Sequence, residues 1–139
     1  MLVFLGGSCD PTTWRTDVVI PILQSKNVEF YNPQVKDWHS GLVVLEREAK
    51  KKADVLFFVI DGQTRAIGSI AEVAGYIGAC RNVVLVVNDI ADMTVIGGQV
   101  VTGSELKDLN RGRAYVRDLA HEFGVAVHTD IKTAAESIK

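Results

Sequence analysis

The sequence predicts an α/β protein built on a doubly wound, flavodoxin- or Rossmann-like sheet of five parallel strands with helices on both faces. Two observations carry this. Apolar runs of strand length recur at Leu2 to Leu5, Val28 to Tyr31, Val55 to Ile60, Val83 to Val87 and Val125 to Val127, and a segment of helical spacing separates each from the next. Three of the runs are continuous rather than alternating in polarity, as strands covered by helices on both faces must be. A chain of 139 residues suits one domain spanning 1–139, and a domain of that size removes roughly 68% of its unfolded surface from water.

The elements follow in order. After the first strand, Thr12 or Thr13 is placed to cap a helix to about Leu23, and Pro21 should bend or shorten it because proline has no N–H for the helical ladder. A second helix is expected from about Ser40 to Lys52, with Leu42, Leu45, Ala49 and Ala53 on its buried face. A third is expected from Ser69 to near Cys80. It turns Ile70, Val73, Ala74 and Ile77 to the core, and Glu72 to a second, nearly bare face with Gly68, Gly75 and Ala79. Asn88 to Gly103 is the one long irregular stretch. Its Gly97-Gly98 pair, flanked by Val95, Ile96, Val100 and Val101, favours a loop packed against something. The fourth helix carries Leu106, Leu109, Val116, Leu119, Ala120 and Phe123 on one side and stops at Gly124, a favoured residue just past a helix end. A short terminal helix follows Thr129-Asp130.

Composition narrows the partners. With 47% hydrophobic and 23% charged residues the chain is neither disordered nor a coiled coil. A net charge of -2 with scattered lysines and arginines offers no footprint for gripping a nucleic acid. Val55 to Ile60 is too short to cross a bilayer and Met1 to Leu5 lacks a basic leader, so neither membrane insertion nor secretion is expected and the location is read as cytoplasmic. Cys9 and Cys80 have no disulfide or metal spacing, and His39, His121 and His128 have no ligand or triad spacing; no metal or cofactor is expected.

In a doubly wound sheet, ligands bind outside the carboxyl ends of the strands, so the segments just after each strand carry the chemistry. Gly6-Gly7-Ser8 presents backbone amides and a hydroxyl that suit a phosphate or ribose, or it is simply a tight strand-to-helix turn. Glu72 is placed in the first turn of the third helix, where the helix dipole favours an ionised carboxylate and hence a nucleophile. The competing reading is a capping box, since Ser69 and Glu72 have the S-x-x-E spacing. Glu46 lies within an apolar stripe, where a carboxylate is costly. Either it pairs with Arg15 or Arg81, or it serves as a general acid. Asp61 can hold a ribose hydroxyl or make an Asp-Gly turn. Trp14 and Trp38 can stack on a base or belong to the core.

These residues resemble the nucleoside 2-deoxyribosyltransferase-like superfamily, in its branch of small stand-alone domains. The resemblance rests on Val3-Phe4-Leu5-Gly6-Gly7-Ser8 with Trp14-Arg15, on Tyr31-Asn32-Pro33-Gln34-Val35, on Ala53-Asp54-Val55-Leu56 and on Gly68-Ser69-Ile70-Ala71-Glu72-Val73-Ala74-Gly75. It implies that Glu72 attacks the anomeric carbon of a nucleoside or nucleotide while Glu46 serves as the acid. It places Gly6, Gly7, Ser8, Trp14, Asp61, Gly68 and Ser69 around the substrate. The glycosyl-enzyme would then pass to another base or to water, as in retaining glycosidases. One departure stands out: the family's base-exchange enzymes carry an aspartate shortly before the nucleophile, and this chain has Gln63-Thr64-Arg65-Ala66-Ile67 there. Hydrolysis of a nucleoside or its 5′-monophosphate therefore stays open beside base exchange, with Arg65 either meeting a phosphate or solvated. So does a noncatalytic nucleotide-binding or interaction domain. A phosphoacceptor receiver shares Asp10 and Asp61 at the correct sheet edge but wants a lysine where His128-Thr129-Asp130 stands. The smooth Gly68, Gly75, Ala79 face and the apolar loop point to a homo-oligomer.

Overall fold

A computed structural model describes all 139 residues. Strands β1 (Leu2–Gly7), β2 (Glu29–Tyr31), β3 (Val55–Ile60), β4 (Val83–Val87) and β7 (Val127–His128) form an all-parallel sheet in the order β2-β1-β3-β4-β7. Helices α2 (Leu42–Lys52), α3 (Ile67–Gly78) and α4 (Gly103–Glu122) cover one face, and α1 (Ile20–Ser25) and α5 (Ile131–Glu136) the other. The expected architecture is therefore present. All six residues of β3 are buried. Leu56, Phe58 and Ile60 turn to the α2, α3 and α4 side, and Val55, Phe57 and Val59 to the side of α1 and α5, as the two-residue period of a strand requires. No helix is long and apolar enough to cross a membrane.

Several features differ from the sequence reading. The first helix is not capped at Thr12 or Thr13: a π-helical turn, Arg15–Val19, runs into α1 and puts Pro21 in the first turn of the α-helix, where its missing N–H costs nothing. α2 buries Ala49 and half-buries Leu42 and Glu46, while Leu45, expected in the core, is exposed. α3 starts at Ile67, two residues before Ser69, after a left-handed Ala66 with φ 58°. The stretch taken as an irregular loop contains an antiparallel hairpin, β5 (Thr94–Ile96) with β6 (Gln99–Val101). Its two-residue turn, Gly97-Gly98, has positive φ at both positions, as the tight turn matching strand twist demands. Ile96 and Val101 bury against Leu106 and Leu109 of α4, so the segment does pack against something.

The glycines ending β1 are dictated by packing. A Cβ on Gly6 would stand 2.5 Å from the Phe58 ring, and one on Gly7, whose φ is +106°, would stand 2.1 Å from the Val59 carbonyl oxygen. Side chains are excluded there by β3, which leaves a bare floor above the carboxyl end of β1.

Candidate functional site

That floor opens into a cavity of about 240 Å³ at the point where the chain order of the sheet reverses, between β1 and β3. Such crevices are where ligands bind in this architecture. Phe4, Gly6, Gly7 and Cys9 come from β1 and the turn after it, Arg15 from the π-helical turn, Pro33 and Trp38 from the segment joining β2 to α2, Glu46 and Lys50 from α2, and Ser69 and Glu72 from α3. Both glutamates singled out in the sequence thus face one cavity.

Glu72 makes no capping box. Because α3 begins at Ile67, Ser69 is the third helical residue and Glu72 lies in the second turn; Ala66 caps the helix without any side-chain bond. The dipole argument weakens accordingly, since its effect fades beyond the first turn. A different group holds the charge. Lys50 Nζ lies 3.1 Å from Glu72 Oε1 and donates to Oε2 at 3.2 Å, straddling the carboxylate. The ammonium also sits 5.3 Å from the Phe4 ring centroid, a favourable cation–π distance. Near Glu72, burial and the carboxylate's negative charge together push the Tyr76 hydroxyl above its ordinary value, so it stays protonated at neutral pH.

Glu46 forms no ion pair with Arg15 or Arg81. Its Oε1 accepts from the Trp38 indole N–H at 3.2 Å. Arg81 is used elsewhere: it donates to the carbonyls of Lys50 and Ala53 and closes the carboxyl end of α2. Tyr31, stacked on Phe4 with centroids 5.7 Å apart, has its hydroxyl raised first by burial and then by the charge of Glu46.

The remaining candidates divide. Gly6, Gly7 and Ser69 line the cavity; Ser8, Trp14, Asp61 and Gly68 do not. Ser8 Oγ accepts the Asp61 N–H at 2.9 Å and lies 2.7 Å from Thr64 Oγ1, tying the ends of β1 and β3 together. Trp14 is buried, packs on Phe57 and donates its indole N–H to the Ser8 carbonyl. Asp61 Oδ1 accepts from Gln63 N–H at 2.7 Å, the turn alternative. Gly68 is exposed on α3. Arg65 lies outside the cavity, partly exposed, and donates to Glu105, to the Ile96 carbonyl and to Gln99, clamping the hairpin.

Sequence reasoning missed two cations. For Lys50 the available signal is its spacing of four from Glu46, which sets both on one side of α2. Arg113 had none. It is fully buried without a carboxylate partner and donates to the carbonyls of Asp61, Thr64, Arg65, Asn88 and Leu109, holding the loops after β3 and β4 together. Arg15 does the same after β1, donating to Leu5, Gly7 and Ser8 carbonyls and to Gln34 Oε1. Burial pulls both guanidinium groups below their ordinary value. No three His, Cys, Asp or Glu side chains converge as a metal site.

A comparison with curated proteins returns no match. The family model described as nucleoside 2-deoxyribosyltransferase like matches residues 1–90, a stretch that takes in β1 to β4, α1 to α3 and every residue lining the cavity. With well over half of its length matched, the chain belongs to the nucleoside 2-deoxyribosyltransferase-like family.

Proposed function

We propose that the protein cleaves the N-glycosidic bond of a deoxynucleoside or its 5′-monophosphate, with Glu72 as nucleophile and Glu46 as acid. The observation that carries this reading is the Glu72 carboxylate: it is free of its own backbone, faces the cavity and is straddled by Lys50. In the first step a Glu72 oxygen bonds to C1′ as the C1′–N bond breaks. The electron pair leaves with the base nitrogen, which takes the proton of Glu46. In the second step water or another base attacks C1′ and the Glu72 carboxylate departs, while the Glu46 carboxylate takes the proton of the incoming group. Lys50 occupies part of the carboxylate's acceptor capacity, which leaves lone pairs for attack, and its charge stabilises the same carboxylate as leaving group in the second step.

Water stands beside another base as the acceptor: the stretch before the nucleophile, where the family resemblance puts an aspartate in base-exchange enzymes, reads Gln63-Thr64-Arg65-Ala66-Ile67 in this chain. Incubation with a panel of nucleosides and nucleotides, with and without acceptor bases, separates transfer, hydrolysis and mere binding. Glu72→Ala is expected to lower turnover on the order of 10³-fold or more; undiminished turnover in that variant sinks the mechanism.

A further inference from the structure

We infer that Trp38 is the platform on which the planar ring of the ligand stacks, and that its indole N–H fixes which oxygen of Glu46 meets that ring. The inference rests on the glycosidic reading for the identity of the ring, and on three observations for its place. First, Trp38 is 55% exposed although it lines the cavity, so a large apolar ring lies open to water beside a binding crevice. The chain's other tryptophan, Trp14, is 4% exposed in the core and has no access to a ligand. Second, the cavity of about 240 Å³ is below the roughly 300 Å³ at which small-molecule pockets begin. A ligand larger than the cavity and held against Glu72 extends beyond it, and Trp38 is the lining residue with a large apolar ring open to water.

Third, the segment bearing Trp38 is pinned at its root and loosely held at its tip. The Gln34 side chain donates to Asp10 and to the Thr12 carbonyl and accepts from Arg15, and the Gln34 backbone N–H donates to Asn32 Oδ1. The Trp38 side chain makes one hydrogen bond, to Glu46 Oε1. An indole nitrogen donates and never accepts, so it binds a lone pair of one carboxyl oxygen whatever the protonation state, and the acid's proton belongs on the other. A proton delivered to the leaving ring therefore comes from Oε2. Trp38 would act twice: as a contact to the base, and as a positioning residue for the acid.

The test uses the full chain. Indole emission and calorimetry are followed while adenine, thymine, their deoxynucleosides and 2-deoxyribose are titrated in, and kcat and KM are measured with the nucleosides. Bases and nucleosides should quench the emission and deoxyribose should not, and the quench should vanish in Trp38→Phe. Trp38→Ala should weaken base and nucleoside binding about 10- to 100-fold, as loss of one stacking contact does. Trp38→Phe keeps a ring but no N–H, so it should hold affinity within about threefold and lose kcat. That split distinguishes positioning from mere folding support. Turnover with kcat and KM unmoved in Trp38→Ala overturns this inference and leaves the glycosidic reading standing. Base binding that depends on Trp38 without any turnover supports the platform and overturns the glycosidic reading. Failure of every planar base and nucleoside to bind overturns both.

Discussion

Lys50 has two neighbours of opposite character, the Glu72 carboxylate and the Phe4 ring, and it reaches both because it lies one helical turn after Glu46 on the inner side of α2. At this scale the chemistry of the cavity is set by pairs of side chains from different elements. Lys50→Met should leave the fold intact, since the pair is partly exposed and such pairs add little to stability. It should lower turnover about 10- to 100-fold by leaving the carboxylate unoriented and the second step without its cation. Single-turnover kinetics that resolve the two steps check this, with the second expected to suffer more. Glu72 remains the proposed nucleophile, but because α3 begins two residues before Ser69 the proposal rests on an ion pair rather than on the helix dipole.

Helices and their connecting loops are held by a few polar clamps. Asp130 caps α5 by accepting from the Thr133 N–H at 2.8 Å and hydroxyl at 2.6 Å, and these bonds hold its carboxyl below the ordinary value. A carboxylate whose folded value is depressed stabilises the fold above its unfolded value of 3.8, and that contribution fades as pH falls through the folded value. Asp130→Ala should therefore lower the melting temperature at neutral pH, and the gap to the parent should close in acid; thermal melts at several pH values read it. Arg113 is the clamp for the loops after β3 and β4. Arg113→Met strands several buried carbonyls without donors, and a loss of about 3–5 kcal/mol is expected, as for a broken buried polar network; urea titration measures it. The Arg113 clamp is invisible in the sequence because backbone carbonyls, unlike carboxylates, leave no residue type to pair with. The hairpin is the opposite case. Gly-Gly between two Val-containing triplets is a legible turn signal, and it was passed over because the segment's length suggested a loop.

Over the whole molecule, the large apolar residues exposed on helices lie on α2, α3 and α4 rather than on α1 and α5. Val43, Val44 and Leu45 form three consecutive exposed apolar residues on α2, with Val44 and Leu45 59% and 56% exposed. On the same side, Cβ atoms at Gly68, Gly75 and Gly78 of α3 would meet nothing within 4 Å, so a partner's backbone can approach closely. Such a run of exposed apolar residues is unusual on a free surface. A homo-oligomer built over α2 and α3 is the expected consequence. Light scattering should find a species larger than the monomer that Val44→Glu dissociates; a monomer at working concentration removes the expectation.

Strand runs, their burial on both faces and the alternation of the main sheet's strands with helices were readable from residue order alone, because periodicity and burial are local properties of a chain. Which residues meet above β1 was decided only in three dimensions. Glu72 meets Lys50 and Glu46 meets Trp38 across turns and helices, while Ser8, Trp14 and Asp61, close to the crevice in sequence terms, turn away to bind the protein itself. The physical reason is that a side chain's partner is chosen by the packing of whole elements. A shift of two residues in where a helix begins, or the close approach of β1 to β3 that only glycine permits, alters that choice without altering any local pattern.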